Sequence, residues 1–217
     1  MEILELMQAR HSVRQYTDQP IEAEKRAVLD ELTAQINRES GLHIQIIYDE
    51  PQCFDSFMAH YGKFTGVRNY IALTGRKSPA LEETLGYYGE RLSLKAQELG
   101  LNTCWVAMTH GKSKAVTDRG EKTVCILSLG YGTTQGTAHR SKPMEALCDC
   151  ADPMPDWFRR GMEAAMLAPT AMNQQKFRFR LLPDGTVRAT CGSGFYTRLD
   201  LGIVKYHFEA ASGRKTV

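Results

Sequence analysis

Residues 176–191 read KFRFRLLPDGTVRATC. Phe177, Phe179 and Leu181 alternate with Lys176, Arg178 and Arg180, which is the period-2 pattern of a strand with one face in a core. Pro183-Asp184-Gly185 is turn chemistry, because Pro presets φ and Gly accepts a positive φ. Thr186–Cys191 is therefore the returning strand of a hairpin. Helical periodicity lies on both sides, over Pro155–Ala168 before the hairpin and over Arg198–Ala211 after it, with Leu199, Ile203, Tyr206 and Ala210 in line. A hairpin between helices excludes an all-parallel sheet and points to an α+β fold.

The rest of the chain agrees with that class. Ile3, Leu4, Leu6 and Met7 crowd one side of a short helix ending near Ala9. Pro20 opens a helix over Ile21–Arg38, with Val28, Leu32 and Ile36 spaced by four and Gly41 as its stop. Leu42–Tyr48 alternates as a strand, a short helix covers Phe54–Tyr61, and Asn69–Thr74 is a second strand. Ala80–Leu99 is an amphipathic helix through Leu81, Leu85, Tyr88, Leu92, Ala96 and Leu99. Strands follow at Thr103–Met108 and Thr123–Leu129, the latter a continuous apolar run expected to be buried on both faces. The expected architecture is a mixed β-sheet packed with helices. The Pro- and Asp-rich stretch Asp149–Asp156 is the only linker-like segment, so the expected division is a larger part, 1–150, and a smaller part, 151–217.

Composition bounds the function. The 27 Lys+Arg and 25 Asp+Glu nearly cancel, so no strong field recruits nucleic acid. The longest apolar runs, Cys104–Met108 and Ala164–Ala168, are far short of the roughly 20 residues of a membrane span. The opening Met1-Glu2-Ile3-Leu4-Glu5 lacks the basic region of a signal peptide, and the six cysteines are too sparse for a disulfide scaffold. The expectation is a cytoplasmic protein with no membrane or nucleic-acid partner.

The common catalytic signatures are absent: no His-Glu-x-x-His, no Gly-x-Ser-x-Gly and no P-loop. Gly130-Tyr131-Gly132…Gly136 follows a strand but has its third Gly one residue late and opens no helix, so it is not a dinucleotide loop. Cys104, His110 and Asp118 could form a thiol triad on paper, but a thiol in a buried strand is inert. Cys148-Asp149-Cys150 has no second ligand pair at finger spacing, and no metal site is expected. Three segments carry chemistry instead. Arg10-His11-Ser12-Val13-Arg14 offers two guanidiniums and an imidazole suited to a phosphate, although a solvated basic turn has the same composition. Ala168-Pro169-Thr170-Ala171-Met172-Asn173-Gln174-Gln175 joins a helix to a strand through small and amide residues that suit a polar heterocycle; an ordinary helix stop is the plainer alternative. Arg140-Ser141-Lys142 closes a Gly/Thr loop.

Together these segments resemble the FMN-dependent nitroreductase family. Arg-His-Ser-Val-Arg is similar to its opening motif, and Ala-Pro-Thr-Ala-Met-Asn-Gln-Gln to its Ala-Pro-Ser-x-x-Asn-x-Gln-Pro-Trp motif. Glu98–Trp105 resembles its helix-to-strand passage, and Leu129-Gly130-Tyr131 its closing segment. The resemblance implies that Arg10, His11, Ser12 and Arg14 hold the FMN phosphate and ribityl chain, and that Arg140 and Lys142 complete the phosphate pocket. It places Pro169, Thr170, Ala171 and Asn173 along the flavin, and Trp105, Val106 and Ala107 at the ring edge. It implies a ping-pong cycle in which NADH or NADPH reduces FMN and a small electron-poor acceptor, nitroaromatic or quinone, follows. No side chain is nominated as catalytic acid or base, since flavin carries the chemistry. The alternative is a flavin- or small-ligand-binding protein of the same fold without turnover. Three departures bear on the acceptor pocket: Lys176-Phe177 replaces Pro-Trp, Thr170 replaces Ser, and the Gly-rich loop becomes Ala107–Gly111.

The family's usual homodimer takes the Arg motif from one subunit and the Asn motif from the other. Here the second helix ends at Ser40-Gly41-Leu42 without the Asn motif, which instead follows the helix Pro155–Ala168. The order helix, strand, strand, helix over 21–38, 42–48, 69–74 and 80–99 recurs over 155–168, 176–182, 186–191 and 198–211. The expectation is two related halves forming an intramolecular pseudo-dimer, a monomer holding one FMN, with a homodimer as the alternative.

Overall fold

The computed structural model describes residues 2–150 and 153–217. The chain runs α1 (Ile3–Ala9), α2 (Ala23–Ser40), β1 (Gln45–Ile47), α3 (Phe57–Tyr61), β2 (Asn69–Arg76), α4 (Leu81–Glu98), β3 (Asn102–Val106), β4 (Glu121–Gly130), β5 (Cys148–Asp149), α5 (Asp156–Ala165), β6 (Phe177–Leu181), β7 (Val187–Cys191) and α6 (Thr197–Ser212), with 3-10 turns at Met144–Ala146 and Ala171–Asn173. The α+β class is as the sequence implies. Among the described residues no helix is long and apolar enough to cross a membrane.

Packing divides the chain into two units. One comprises Ala9–Leu81 and Arg91–Thr137, the other Met1–Gln8, Glu82–Glu90 and Ala138–Val217. This differs from a single cut at residue 150. β5 accounts for part of this, since its Cys148 and Asp149 pair in parallel with Phe179 and Arg180 of β6 and so tie the chain just before 150 to the hairpin that follows.

The first unit is built on a four-stranded sheet of order β1-β2-β4-β3 with every neighbour antiparallel. From Cys125 to Gly130 β4 is buried throughout, and Ser128, the one hydroxyl in the run, is hydrogen-bonded to the Tyr16 hydroxyl at 2.8 Å. Only three residues of the expected strand 42–48 join the ladder. Just before them, Asn37 of α2 satisfies Ile44 on both sides: its Nδ2 donates to the Ile44 carbonyl at 2.8 Å, and its Oδ1 accepts from the Ile44 amide at 2.9 Å. The buried line of α2 is Leu29, Thr33 and Ile36, one step round from the expected Val28 and Leu32; Val28 is exposed. Thr33 is tolerated there because its hydroxyl donates to the Leu29 carbonyl.

The second unit pairs β5 and β6 in parallel and β6 and β7 antiparallel. On β6, Phe177 and Phe179 point inward and Arg178 and Arg180 outward. Phe179 stacks on Phe208 of α6 at 4.7 Å between centroids, and Phe158 of α5 meets the same ring edge-on. The first half of α4 belongs to this unit and crosses α6 at Gly86 and Gly202.

Candidate functional site

The predicted residues fall into two groups. Arg10, His11, Ser12, Arg14, Trp105, Val106 and Ala107 lie in the sheet unit; Arg140, Lys142, Pro169, Thr170, Ala171 and Asn173 lie in the hairpin unit.

In the sheet unit the basic segment is laid along β3. Ser12 bridges Thr103 in parallel, and the Val13 amide donates to the Thr103 carbonyl at 3.1 Å. Further bridges, Gln15 to Thr65 and Tyr16 to Gly132, fix the strand that leaves it. The structure thus brings Arg10–Arg14 and the Trp105–Ala107 stretch to one edge strand. Gly136 closes over this segment: a Cβ there would lie 2.8 Å from His11 Cβ and 3.0 Å from the Ser12 carbonyl, and its φ is +72°. Arg10 is 3% exposed, a rare state for a guanidinium, whereas Arg14 is exposed with its guanidinium over the Phe64 ring. Cys104 lies between them. Burial holds its thiol above the ordinary value, against the opposing pull of Arg14, the Ser12 hydroxyl and Arg10. A protonated buried thiol is a core side chain, which disposes of the Cys104 triad.

In the hairpin unit the Asn motif forms a turn of unusual backbone. Met172, Asn173 and Gln175 all have positive φ, 50°, 54° and 46°, though none is glycine. Each such residue costs on the order of 1 kcal/mol, and conformations of this kind persist only where surroundings over-determine them. The surroundings are visible. Buried Gln175 donates through Nε2 to the Arg140 carbonyl (3.0 Å) and to Asn173 Oδ1 (2.8 Å), and accepts from the Lys142 amide (2.8 Å). Asn173 Nδ2 donates to the Arg140 carbonyl at 2.9 Å, and the Gln175 amide donates to Thr170 Oγ1. Lys142 Nζ donates to the carbonyls of Gln174 and Gln175, so two of its three protons hold the loop. The segment 140–142 is therefore zipped to 170–175, and the side chains of Asn173 and Lys142 are used inside the loop. Met172 stands out at 83% exposure.

Sequence reasoning missed the residues that shape this loop. Gln174 and Gln175 were in the quoted motif without a role. Asp200, 5% exposed on α6, accepts from the Ala171 amide and from Gln174 Nε2. Its only sequence signal is an acid beside the apolar line of a helix.

The fold is α+β, and the comparisons with known proteins give its class. The sequence of residues 2–212 matches the family described as Putative TM nitroreductase, and the chain belongs to that family. No curated protein matches it. Among solved structures, a putative nitroreductase from Thermotoga maritima is 21% identical, with 97% of this chain and 83% of that chain covered and a TM-score of 0.72. A putative nitroreductase from Desulfovibrio desulfuricans, solved in complex with FMN, is 20% identical over 70% of this chain and 98% of its own, with a TM-score of 0.55. A nitroreductase family protein from Streptococcus pneumoniae is 13% identical over 69% and 100%, also with a TM-score of 0.55. At these identities the likeness is one of fold.

Proposed function

We propose that the chain is an FMN-dependent oxidoreductase that takes hydride from NADH or NADPH and passes electrons to a small electron-poor acceptor, nitroaromatic or quinone in type. The observation that carries this reading is the Arg10–Arg14 segment, held against β3 by the Ser12–Thr103 bridge. Its donor set fits FMN: two guanidiniums, a hydroxyl and an imidazole suit a phosphate monoester. The second set supports it through shape, because the turn after Pro169 is fixed by its own hydrogen bonds, the amides of Ala171, Asn173, Gln174 and Gln175 all being bound within the loop or to Asp200.

Arg10, His11, Ser12 and Arg14 would hold phosphate and ribityl chain, with charge added by Arg140 and by the third ammonium proton of Lys142. Trp105, Val106 and Ala107 would border the ring. Pro169, Thr170, Ala171 and Asn173 would line it. FMN bound there would supply the hydride and electron chemistry. The chain's own groups bind, orient and exclude water, and none is assigned as acid or base. We further read the chain as an internally duplicated pseudo-dimer with one flavin per monomer, a reading supported by the reciprocal crossing of α4 and α6. The cytoplasm is the expected compartment.

One observation favours a second reading, flavin binding without turnover. Where the family has Pro-Trp, Lys176 spends its ammonium on the Ser193 carbonyl and Phe177 is buried, so the acceptor side is rebuilt. A visible spectrum of purified protein, before and after added FMN, tests both readings. A protein that stays colourless refutes them. Anaerobic stopped-flow mixing with NADH or NADPH, followed by a nitroaromatic or quinone, then separates them, since only an oxidoreductase bleaches the flavin band with the first and restores it with the second.

A further inference from the structure

We propose that Asp200 is a positioning residue that holds loop 169–175 in its left-handed conformation for the flavin, an inference that rests on reading this loop as part of an FMN site. The geometry is specific. Oδ1 accepts from the Ala171 amide at 2.9 Å and Oδ2 from Gln174 Nε2 at 2.7 Å, so one carboxylate grips both ends of the turn that contains Met172 and Asn173. Gln174 Nε2 also donates to the Phe195 carbonyl at 2.7 Å, which ties the grip to the loop entering α6. Neither oxygen's partner is a charged group. Of the neighbouring cations, Arg198 on the same helix is exposed, Lys205 one turn further is paired with Glu83 at 2.7 Å, and Lys176 gives its ammonium to the Ser193 carbonyl.

A packing role does not call for a carboxyl here. Burial pushes Asp200 up to about 6 from 3.8, against the pull of the Ala171 amide and the Gln174 side chain. The sign follows from linkage. With the folded value raised, the favourable state is fully present below about pH 3.8 and is lost as pH rises through about 6. At neutral pH the ionised carboxylate therefore works against the stability of the fold. What it provides is two acceptors for a strained loop, and protonation converts one of them into a donor. A residue that opposes stability while organising a ligand loop marks a functional position.

The test compares the parent, Asp200→Asn and Gln174→Ala. FMN dissociation is measured from pH 5 to 8, thermal unfolding at pH 7.5, and amide exchange at Ala171 in flavin-free protein. Asp200→Asn is expected to weaken FMN binding about tenfold to thirtyfold at pH 7.5, the effect of losing a charge-assisted hydrogen bond. Its disadvantage relative to the parent shrinks as pH falls through 6; taking the ratio removes the titration of the flavin phosphate and of any other group both proteins share. Its unfolding midpoint is no lower than the parent's, and Ala171 exchanges faster. Parent-like affinity with parent-like exchange overturns the proposal, as does a lower midpoint with unchanged affinity, which would make Asp200 a structural residue. If the parent takes up no FMN, the FMN reading fails by itself; Ala171 exchange then decides, and unchanged exchange in Asp200→Asn overturns the grip on the loop. Should that variant not fold, Gln174→Ala at its half-exposed position carries the same affinity and exchange tests, with about threefold to tenfold weaker binding expected.

Discussion

Gly86 and Gly202 face each other where α4 and α6 cross, and each meets the same part of the other's helix. A Cβ on Gly86 would lie 2.0 Å from the carbonyl oxygen of Leu199 and 3.1 Å from the amide nitrogen of Ile203. A Cβ on Gly202 would lie 1.9 Å from the carbonyl oxygen of Glu83 and 2.7 Å from the amide nitrogen of Tyr87. In both cases the contacts are the residue three before and the residue one after the opposing glycine. Such exchange of partners is what a local twofold produces. It supports the proposed duplication, since these helices close the two expected helix–strand–strand–helix repeats.

The crossing makes a prediction in which two effects oppose. Ala is a better helix former than Gly by about 1 kcal/mol. Helix propensity alone would have Gly86→Ala stabilise the protein. The backbone contact decides otherwise, because atoms at 2.0 Å must separate and a carbonyl cannot rotate away as a side chain can. Overpacking of this kind costs roughly 1–3 kcal/mol or more. Gly86→Ala and Gly202→Ala should each be net destabilising in a urea titration. A gain in midpoint for either would mean the helices are not in backbone contact.

Glu90 and His207 form a second link between the same helices, and both are fully buried. His207 Nδ1 is 2.9 Å from the Ala164 carbonyl, which can only accept, so Nδ1 carries a proton. The contact of Nε2 with Glu90 Oε1 at 3.0 Å then needs one more proton, on either partner. Glu90→Ala removes one side of this buried contact and should cost about 3–5 kcal/mol. Glu90→Gln keeps a donor for Nε2 and should cost much less. Equal losses for the two variants, by calorimetry, would show that volume rather than the hydrogen bond matters.

Long periodic elements were legible in the sequence, and devices made by single polar side chains were not. The 177–191 hairpin, α4 and the buried run of β4 declare themselves through repeated apolar spacing. Two-residue β5 has no period to read, yet it accounts for part of where the units divide. On α2 the run Val28-Leu29 offers two apolar lines, and the structure chooses the one containing Thr33, whose hydroxyl is satisfied by its own helix. At the site, the motif residues could be named from their types. Their mutual use could not, because Gln175 and Asp200 act by hydrogen bonds across 33 and 29 positions, to Lys142 and Ala171. A buried acid on an apolar helix face is the one signal that deserved a question.

Arg14 gives a direct test of the phosphate assignment. It is exposed, so Arg14→Ala should leave the fold intact, whereas the same change at buried Arg10 also opens a cavity. Losing one charge-assisted pair should weaken FMN binding by about 1.5–3 kcal/mol, roughly tenfold to a hundredfold. The loss should shrink as salt is raised, because the interaction is ionic and partly exposed. Fluorescence titration of apo-protein at low and high salt measures both, and a variant that matches its parent at low salt removes Arg14 from the site.

The proposed duplication also predicts a stoichiometry. The resemblance to the homodimeric family implies that each flavin there takes its Arg motif from one chain and its Asn motif from the other. This chain carries Arg10–Arg14 before the first proposed repeat and Pro169–Asn173 inside the second, and the place after α2 where a first-half Asn motif would stand is Gly41-Leu42. Gly41 serves there as the left-handed helix cap, at φ 68°, donating its amide to the Asn37 carbonyl. On the proposed assignment, one copy of each motif would give a monomer the parts for one flavin and not two. Light scattering coupled to size exclusion, with flavin quantified across the same peak, should therefore find one FMN per monomer-sized particle. The expected ratio stays at one as protein is diluted, because no association step is needed. Flavin found only in a dimer peak, or released on dilution together with dimer dissociation, would return the chain to the two-subunit arrangement and leave the Gly86–Gly202 crossing as packing alone.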